Sequence, residues 1–244
     1  MRTRTTLLLA CFLFTMSFPA VAGELTTRDG RPVRSVAVIS RLGDSILLYN
    51  AEPSVPVTVW KGATRPFVIP DFAIDARIEN AIATALAPRF TVVRLAPGVV
   101  PTTPILDEDD VPGIVAKLPP RPDIDAYIVL CHDESSVEMT AFLTTHGLAL
   151  YRRWHPFDDV TALFAFYRLM ILDARTGETI ENRTGGIETS IFEPSTARRE
   201  IDDNFWPGDE GLPSAQQAPA LRDKFYEFVD ESIVWTLKRT KLAE

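Results

Sequence analysis

Residues 162–186 read ALFAFYRLMILDARTGETIENRTGG, and this stretch decides the fold. Its first part, residues 163–172, is apolar except for Arg168. Such a run is typical of a strand covered on both faces, because a strand with one face in water alternates apolar and polar residues. A helix is the competing interpretation, but Phe164, Phe166 and Tyr167 favour a strand. The run therefore predicts a long strand in the middle of a sheet.

A tight turn and a return strand follow this run. Asp173 can accept hydrogen bonds from backbone N–H groups two or three residues later, and Gly177 can take the left-handed conformation that closes a short hairpin with a bulge. Residues 179–184 are more polar, as expected of a strand nearer the edge of a sheet. The stretch thus predicts the central hairpin of a sheet and carries no chemical signature.

Outward from the hairpin, six other segments predict strands because they are apolar or alternate between apolar and polar residues. These segments are residues 35–40, 45–49, 57–60, 90–95, 124–130 and 147–151. Three further segments are expected to be irregular connections. They are the loop from residue 61 to Pro66, the polar segment 131–145 and the proline-rich segment 187–219.

A helix is predicted over residues 71–87, where apolar residues recur at helical spacing and form one face. Asp71 is expected to be its N-cap, and Pro88 is expected to end it. Asp75 and Glu79 lie off the apolar face, so we expect them to point into water.

Two more helices complete the pattern. A short helix is predicted at 111–118, after the acidic run 107–110, whose carboxylates suit the start of a helix. A longer helix at 220–241 closes the chain, with one apolar face and a cationic C-terminal end. The order of elements predicts an α/β (α+β) fold. We expect a mixed β-sheet with a central antiparallel hairpin, helices packed on the sheet and a C-terminal closing helix.

The N-terminus predicts export. Residues 1–22 have the basic start, the apolar run over 7–16 and the small residues ending at Ala22 that mark a secretory signal peptide. The apolar run is shorter than the roughly 20 residues that span a bilayer. We expect residues 23–244 to form a single domain, periplasmic or secreted, with a loose N-terminal segment at 23–34.

Signal cleavage changes the cysteine count. It removes Cys11 and leaves Cys131 as the single thiol, so the mature chain cannot form an internal disulfide. Cys131 ends an apolar segment and is expected to be a buried, inert thiol. Residues 8–11 loosely resemble a lipoprotein cleavage box, which makes lipidation of Cys11 the alternative. The apolar segment continues past Cys11, and this argues against lipidation.

The chain is acidic, with a pI near 5.0 and a formal charge of −8. Cleavage after residue 22 removes two arginines and no acidic residue, which changes the charge to −10. A nucleic-acid surface needs clustered Lys and Arg, and an anionic lipid surface attracts the same residues. The composition therefore argues against both as partners.

Gly43-Asp44-Ser45-Ile46 resembles the nucleophile block of GDSL-type esterases, which follows a strand near the mature N-terminus. That family also needs a histidine base with an aspartate three residues earlier. None of the three histidines has one, because those positions hold Val129, Leu143 and Arg152. A serine without a positioned base is a weak nucleophile. We therefore interpret residues 43–46 as a plain hairpin turn.

The sequence also gives little support for a metal site or for a catalytic thiol. Cys131 and His132 are adjacent, and adjacent residues of an extended chain point to opposite faces. The histidines lack the H-x-x-x-H and H-E-x-x-H spacings, and residues 107–110 lack the alternating oxygen ligands of a calcium loop. Nothing marks the Cys131 thiol as activated. No catalytic, cofactor-binding or metal-binding residue is assigned, and no cofactor is expected.

Two aromatic segments are candidates for contact with a partner. A small basic-aromatic cluster in this acidic chain consists of Tyr151, Arg152, Arg153, Trp154 and His155. The alternative is a strand end with solvated arginines lying over an aromatic ring. Trp206, in the proline-rich segment, is the second candidate, because tryptophan and arginine dominate the energetics of interfaces in which they take part.

The DARTGE turn at 173–178, the IDAYIVL strand at 124–130 and the helix at 71–87 together resemble bacterial envelope domains of the TolB N-terminal and CsgG-like kind. The VAVISRLGDS segment at 36–45 resembles uncharacterised exported bacterial proteins. The resemblance covers residues 35–186 and implies an exported α/β domain that assembles with other envelope proteins. It transfers no functional residue, because these families have no catalytic signature to match.

These features predict an exported, non-enzymatic envelope protein that acts through protein–protein contacts with an envelope partner. Two alternatives stay open. One is a hydrolase with an unrecognised site, and the other is a periplasmic protein that binds a small ligand in a pocket beside the sheet. No membrane span is expected after signal cleavage, and the sequence assigns no oligomeric state.

Overall fold

The computed structural model describes residues 24–54, 59–140, 143–153, 160–187, 197–206, 217–240 and 242–243. Its strands are β1 (Ser35–Ser40), β2 (Ser45–Ser54), β3 (Val59–Val68), β4 (Thr91–Val92), β5 (Ala126–His132), β6 (Glu134–Thr140), β7 (Leu143–Arg153), β8 (Val160–Asp173), β9 (Thr179–Thr184) and β10 (Arg198–Ile201). Its α-helices are α1 (Ile74–Leu86), α2 (Val111–Val115) and α3 (Gln217–Arg239). The predicted leader lies outside the described residues.

The described strands form one mixed sheet with the order β3-β2-β7-β8-β5-β1-β4, and β6, β9 and β10 pair off this path. β1 is parallel to β4 and β5, and β2 is parallel to β7. The other ladders are antiparallel. The predicted fold class is therefore confirmed.

β8 is the central strand. β7 and β10 flank its first half, and β5 and β9 flank its second half. Every residue of β8 except Arg168 is buried. The strand predicted from the apolar run is thus confirmed, and it is longer than predicted because Val160 and Thr161 also pair with β7.

The turn between β8 and β9 has the predicted chemistry. The Asp173 carboxylate accepts hydrogen bonds from the N–H groups of Arg175, at 2.8 Å, and Thr176, at 3.3 Å. Gly177 has a φ of 72°. The β8–β9 register shifts between Ile171 and Leu172, which is the predicted bulge. β9 pairs with β8, and its side chains are half-buried or exposed.

The predicted N-cap of α1 is wrong. The helix begins at Ile74, its cap is Ala73 in the left-handed conformation, and no side chain bonds the cap. Asp71 also has a positive φ, of 54°. The two left-handed residues flank Phe72, which is buried in the core, so burial of this ring sets the chain direction into the helix. The helix ends at Leu86, before Pro88, as predicted.

Three segments that were expected to be irregular carry strand structure. β3 extends to Val68 and pairs with β2 along its length, although a loop was predicted up to Pro66. β6 and the start of β7 occupy the predicted connection at 131–145. β10 lies within the predicted irregular segment 187–219. These predictions were wrong because pairing with a neighbouring strand outweighs local composition.

α3 covers one face of the sheet with the residues predicted to share its inner face, which are all buried: Leu221, Phe225, Phe228, Val229, Ser232, Ile233 and Thr236. The hydroxyl of Tyr167 on β8 bonds Ser232 at 2.9 Å and Thr236 at 3.0 Å. Burial raises the pKa of Tyr167 to about 12. Gly185 lies against the same ring, because a Cβ on it would stand 2.2 Å from Tyr167 Cζ.

Two other regions differ from expectation. Trp206, predicted to be exposed, is 7% exposed and belongs to the main core, so it does not offer a free ring to a partner. The segment expected to be loose contacts the sheet, because Thr27 and Val33 are buried and Arg31 Nη2 lies 2.6 Å from Asp173 Oδ2.

Candidate functional site

A pocket of about 500 Å³ lies where the parallel strands β1 and β4 end. We call it the α1 pocket, because the N-terminal half of α1 forms one wall. The loop 41–44 and the segment 93–104 form the rest of the mouth. The carboxyl ends of parallel strands are the usual position of a binding crevice in α/β sheets. The volume falls within the range of small-ligand sites.

Asp75 on α1 clamps the loop that borders this pocket. Its Oδ1 accepts hydrogen bonds from Ser40 Oγ, at 2.7 Å, and from the Leu42 N–H, at 2.8 Å. Its Oδ2 accepts from the Gly43 N–H at 3.0 Å. The prediction that Asp75 points into water is therefore wrong. The carboxylate instead satisfies backbone donors that would otherwise lack partners at the end of β1.

Glu79, one helical turn further, holds the same loop. Its Oε1 accepts from the Ser40 N–H at 3.0 Å and from Arg41 Nη1 at 3.1 Å. Arg41 Nε also donates to the Pro101 carbonyl at 2.6 Å. Arg41 therefore ties the loop to the segment across the mouth, and the polar wall of the pocket is fixed by internal hydrogen bonds.

The rim also carries charges that no described residue pairs. Arg94 and Asp44 line the pocket, and both side chains are exposed. A ligand or partner group entering the mouth would meet these charges first. The lining also includes aliphatic side chains, among them Ala76 and Ala83 of α1.

The turn that contains Ser45 is not the hairpin that was predicted. β1 pairs with β4 and β5, whereas β2 pairs with β3 and β7, so residues 41–44 cross between two parts of the sheet. Gly43 has a φ of 80°, and a Cβ on it would stand 2.7 Å from Pro104 Cγ. Among the described residues, no histidine bonds the Ser45 hydroxyl.

Cys131 and His132 have separate environments. The Cys131 thiol is buried, and burial raises its pKa to about 12, which is the state of an inert thiol. His132 Nε2 lies 2.8 Å from the Leu42 carbonyl oxygen. Burial lowers the pKa of His132. The predicted burial of Cys131 is confirmed, and the two side chains point to different surroundings.

The acidic run 107–110 begins a short 3₁₀ helix at Glu108–Asp110. The Asp107 carboxylate accepts from the Asp109 N–H at 2.9 Å and caps this helix. Glu108 Oε2 lies 3.1 Å from Arg168 Nε and accepts from Asn182 Nδ2 at 2.8 Å. Arg168 Nη2 also donates to Asp133 Oδ1 at 2.9 Å. These carboxylates are thus engaged in capping and ion pairs.

The structure describes only part of the predicted basic-aromatic cluster. The Tyr151 ring is buried, and Arg152 is half-buried in β7. The side chain of Arg153 and residues 154–159, which include Trp154 and His155, lie outside the described residues. The cluster therefore stays a prediction.

The α1 pocket was not predicted from the sequence, because its clamp consists of two acidic residues that a helical pattern places toward water. The available signal was their spacing. Asp75 and Glu79 stand four residues apart, beside the apolar stripe, on a helix that leads into β4, the parallel neighbour of β1. Carboxylates in that position can reach the backbone donors at the strand end.

Comparisons with known proteins identify no family. No family model matches the chain, and no curated protein matches it. Two solved structures are similar at 12% identity. The lipoprotein GNA1162 of Neisseria meningitidis has a TM-score of 0.28, over 80% of this chain and 96% of its own. The hypothetical protein CT253 of Chlamydia trachomatis has a TM-score of 0.26, over 82% of this chain and 98% of its own. Neither is a TolB or CsgG-like domain by its printed description, so that resemblance stays a prediction.

A search of the described helices for a membrane-spanning segment gave none with the necessary length and hydrophobicity.

Proposed function

We propose that this is an exported, non-enzymatic envelope protein that acts through protein–protein contacts, and that a partner docks at the α1 pocket. The observation that carries the proposal is the clamp. The charged wall of the pocket is held rigid by Asp75, Glu79 and Arg41, whose hydrogen bonds are made within the protein. A rigid, preformed site binds at a lower cost in conformational entropy.

The edge of the sheet beside the pocket suits a protein partner. β4 is the last strand on the path, and the N–H groups of Thr91 and Val93 donate to the carbonyl oxygens of Arg34, just before β1, and of Val36 in β1. The peptide groups of Val92, between them, therefore face away from β1. An extended partner segment could pair with this edge and place a side chain in the pocket, as in other cases of strand addition.

A cross-linking pull-down in the native host, using a C-terminal tag and the chain's own leader, tests this proposal. We expect a stoichiometric envelope partner with the wild type. Ala76→Trp fills the pocket and should abolish its capture. Thr84→Trp is the matched control, because Thr84 is exposed on the same helix and does not line the pocket. Equal capture by both variants would exclude docking at the pocket, and cytoplasmic retention of the chain would exclude export.

A small ligand is the second candidate occupant, and the volume of about 500 Å³ favours it. A thermal-shift panel of metabolites on the wild type and on Ala76→Trp would identify it. A compound that raises the melting temperature of the wild type and leaves that of Ala76→Trp unchanged would assign the pocket to a small molecule.

The hydrolase alternative has a direct test in an esterase screen of the wild type and Ser45→Ala. We expect no turnover by either protein. Activity that disappears in Ser45→Ala would overturn the non-enzymatic assignment.

A further inference from the structure

His132 has one ring nitrogen with a defined partner and one without. Its Nε2 lies 2.8 Å from the Leu42 carbonyl oxygen. Because a carbonyl only accepts hydrogen bonds, Nε2 must carry the proton, and Nδ1 of the neutral ring then carries a lone pair.

The lone pair on Nδ1 is buried, and no hydrogen-bond donor among the described residues reaches it. A buried acceptor without a partner is costly and is rare in folded proteins. A histidine whose other nitrogen donates to a backbone carbonyl is also the usual arrangement around a protein-bound metal, because that bond fixes the tautomer and the orientation of the ring.

A second imidazole lies beside the first. The ring centroids of His132 and His146 are 5.5 Å apart, and the rings are tilted by 37°. A metal–nitrogen bond is about 2.1 Å long, and the nitrogen lies about 1.1 Å from the centre of its ring. Two imidazoles that bind one ion therefore have ring centroids at most about 6.4 Å apart. We propose that His132 and His146 together bind one transition-metal ion of the zinc or copper kind.

The sheet brings the two histidines together through β8. Phe166 of β8 pairs with Gly147 of β7, and the next residue, Tyr167, pairs with His132 at the end of β5. The end of β5 therefore lies beside β7, which also carries His146. Gly147 has a φ of 65°, and a Cβ on it would stand 2.5 Å from the His132 ring. The glycine therefore makes room for the ring.

The surroundings of His132 and His146 suit a site that binds an exchangeable ion rather than a closed structural metal site. No cluster of three or more Cys, His, Asp or Glu side chains within the described residues could hold a metal, so two imidazoles and solvent would make up the coordination. His146 is half-buried and gives access to solvent.

Titration of the purified mature chain with Zn²⁺ and with Cu²⁺, against a chromophoric chelator, tests the proposal. We expect one ion per chain, and we expect His146→Ala to weaken binding roughly 100-fold or more, because even outer-shell changes cost 10–100-fold. His155→Ala is the matched control, since His155 is the third histidine of the chain, and it should bind like the wild type.

Circular dichroism and the melting temperature without metal establish that His146→Ala is folded. His132→Gln, which removes the other ligand, should lose binding to the same extent. Equal affinity in the wild type and His146→Ala would overturn the proposal. So would loss of binding in His155→Ala, or the absence of a bound ion at micromolar protein and metal.

Discussion

The β8–β9 hairpin and the α1 pocket are built in opposite ways. The hairpin is held by a nearly continuous apolar strand and by a turn with local hydrogen bonds. In that turn the Asp173 carboxylate accepts from the N–H groups of Arg175 and Thr176. The pocket wall is held by Asp75, which bonds the loop 41–43 from a helix more than 30 residues later. A local device leaves its signature in a short stretch of sequence, whereas a long-range clamp does not. The comparison also predicts different responses to mutation.

The largest effect is expected at Gly185, beside the central strand. Gly185→Ala places a methyl group 2.2 Å from Tyr167 Cζ, and this ring is fully buried with its hydroxyl bonded to α3. The strand or the helix must shift, so we expect a loss of about 3 kcal/mol in the free energy of unfolding. Chemical denaturation measures it.

Gly113→Ala is the control for that change. Gly113 lies in α2, and a Cβ there would meet no atom within 4 Å. Alanine in a helix should be neutral or stabilising by about 0.5–1 kcal/mol. If Gly185→Ala cost no more than Gly113→Ala, the tight packing of Tyr167 against residue 185 would be contradicted.

The next effect is expected at the clamp. Asp75→Ala removes the acceptor of the Leu42 and Gly43 N–H groups and of the Ser40 hydroxyl. Since buried donors without partners are costly, we expect about 2 kcal/mol of destabilisation. Asn80→Ala, an exposed change on the same helix, should cost much less.

Hydrogen exchange adds a local test of the same clamp. The amides of Leu42 and Gly43 should lose protection in Asp75→Ala more than the amides of β8 do. Equal loss across the protein would mean that the clamp and the hairpin are not separate units of stability.

A smaller, pH-dependent effect is expected at His132. Its pKa is lowered from 6.5 by burial, so the unfolded state binds the proton more readily. The neutral His132 ring therefore contributes to the free energy of unfolding. This contribution is fully present above pH 6.5 and is lost as the pH falls below that value, by at most about 1.4 kcal/mol per pH unit. We expect the stability of the wild type to fall between pH 7 and pH 5.5 more steeply than that of His132→Gln. Parallel curves would contradict a buried neutral imidazole.

The smallest effect concerns Cys131. With a pKa raised to about 12 and a buried side chain, this thiol should be unreactive toward a thiol reagent at pH 8 in the native state. It should react fully once the chain is unfolded in guanidinium. Rapid native labelling would show that the junction between β5 and β8 opens.

The sequence predicted the features that depend on neighbours along the chain. The central strand, the Asp173–Gly177 turn and the apolar face of α3 are local patterns, and all three are confirmed. It did not predict β6 or β10, because polar strands are specified by the edge that they pair with.

The candidate sites were not predicted either, because they also depend on contacts between distant parts of the chain. The exposure of Asp75 was predicted wrongly, because the donors that it bonds lie across the fold at the end of β1. His132 was considered beside Cys131, its neighbour in sequence, whereas the structure places it beside His146, on another strand. The organisation of residues 23–244 as one domain stays a proposal.

The position of β8 has a consequence for the order in which the protein can fold. Val36 pairs with Ala126 and Leu47 pairs with Ala149, so β1 and the β2–β3 hairpin can join the central strands only after chain far downstream has been made. β5 and β7, which they need, are themselves joined through β8. Loop closure of this kind slows folding. The first half of the chain should therefore lack its central sheet partners during synthesis until residue 173 has emerged, and it must be kept from aggregating until then.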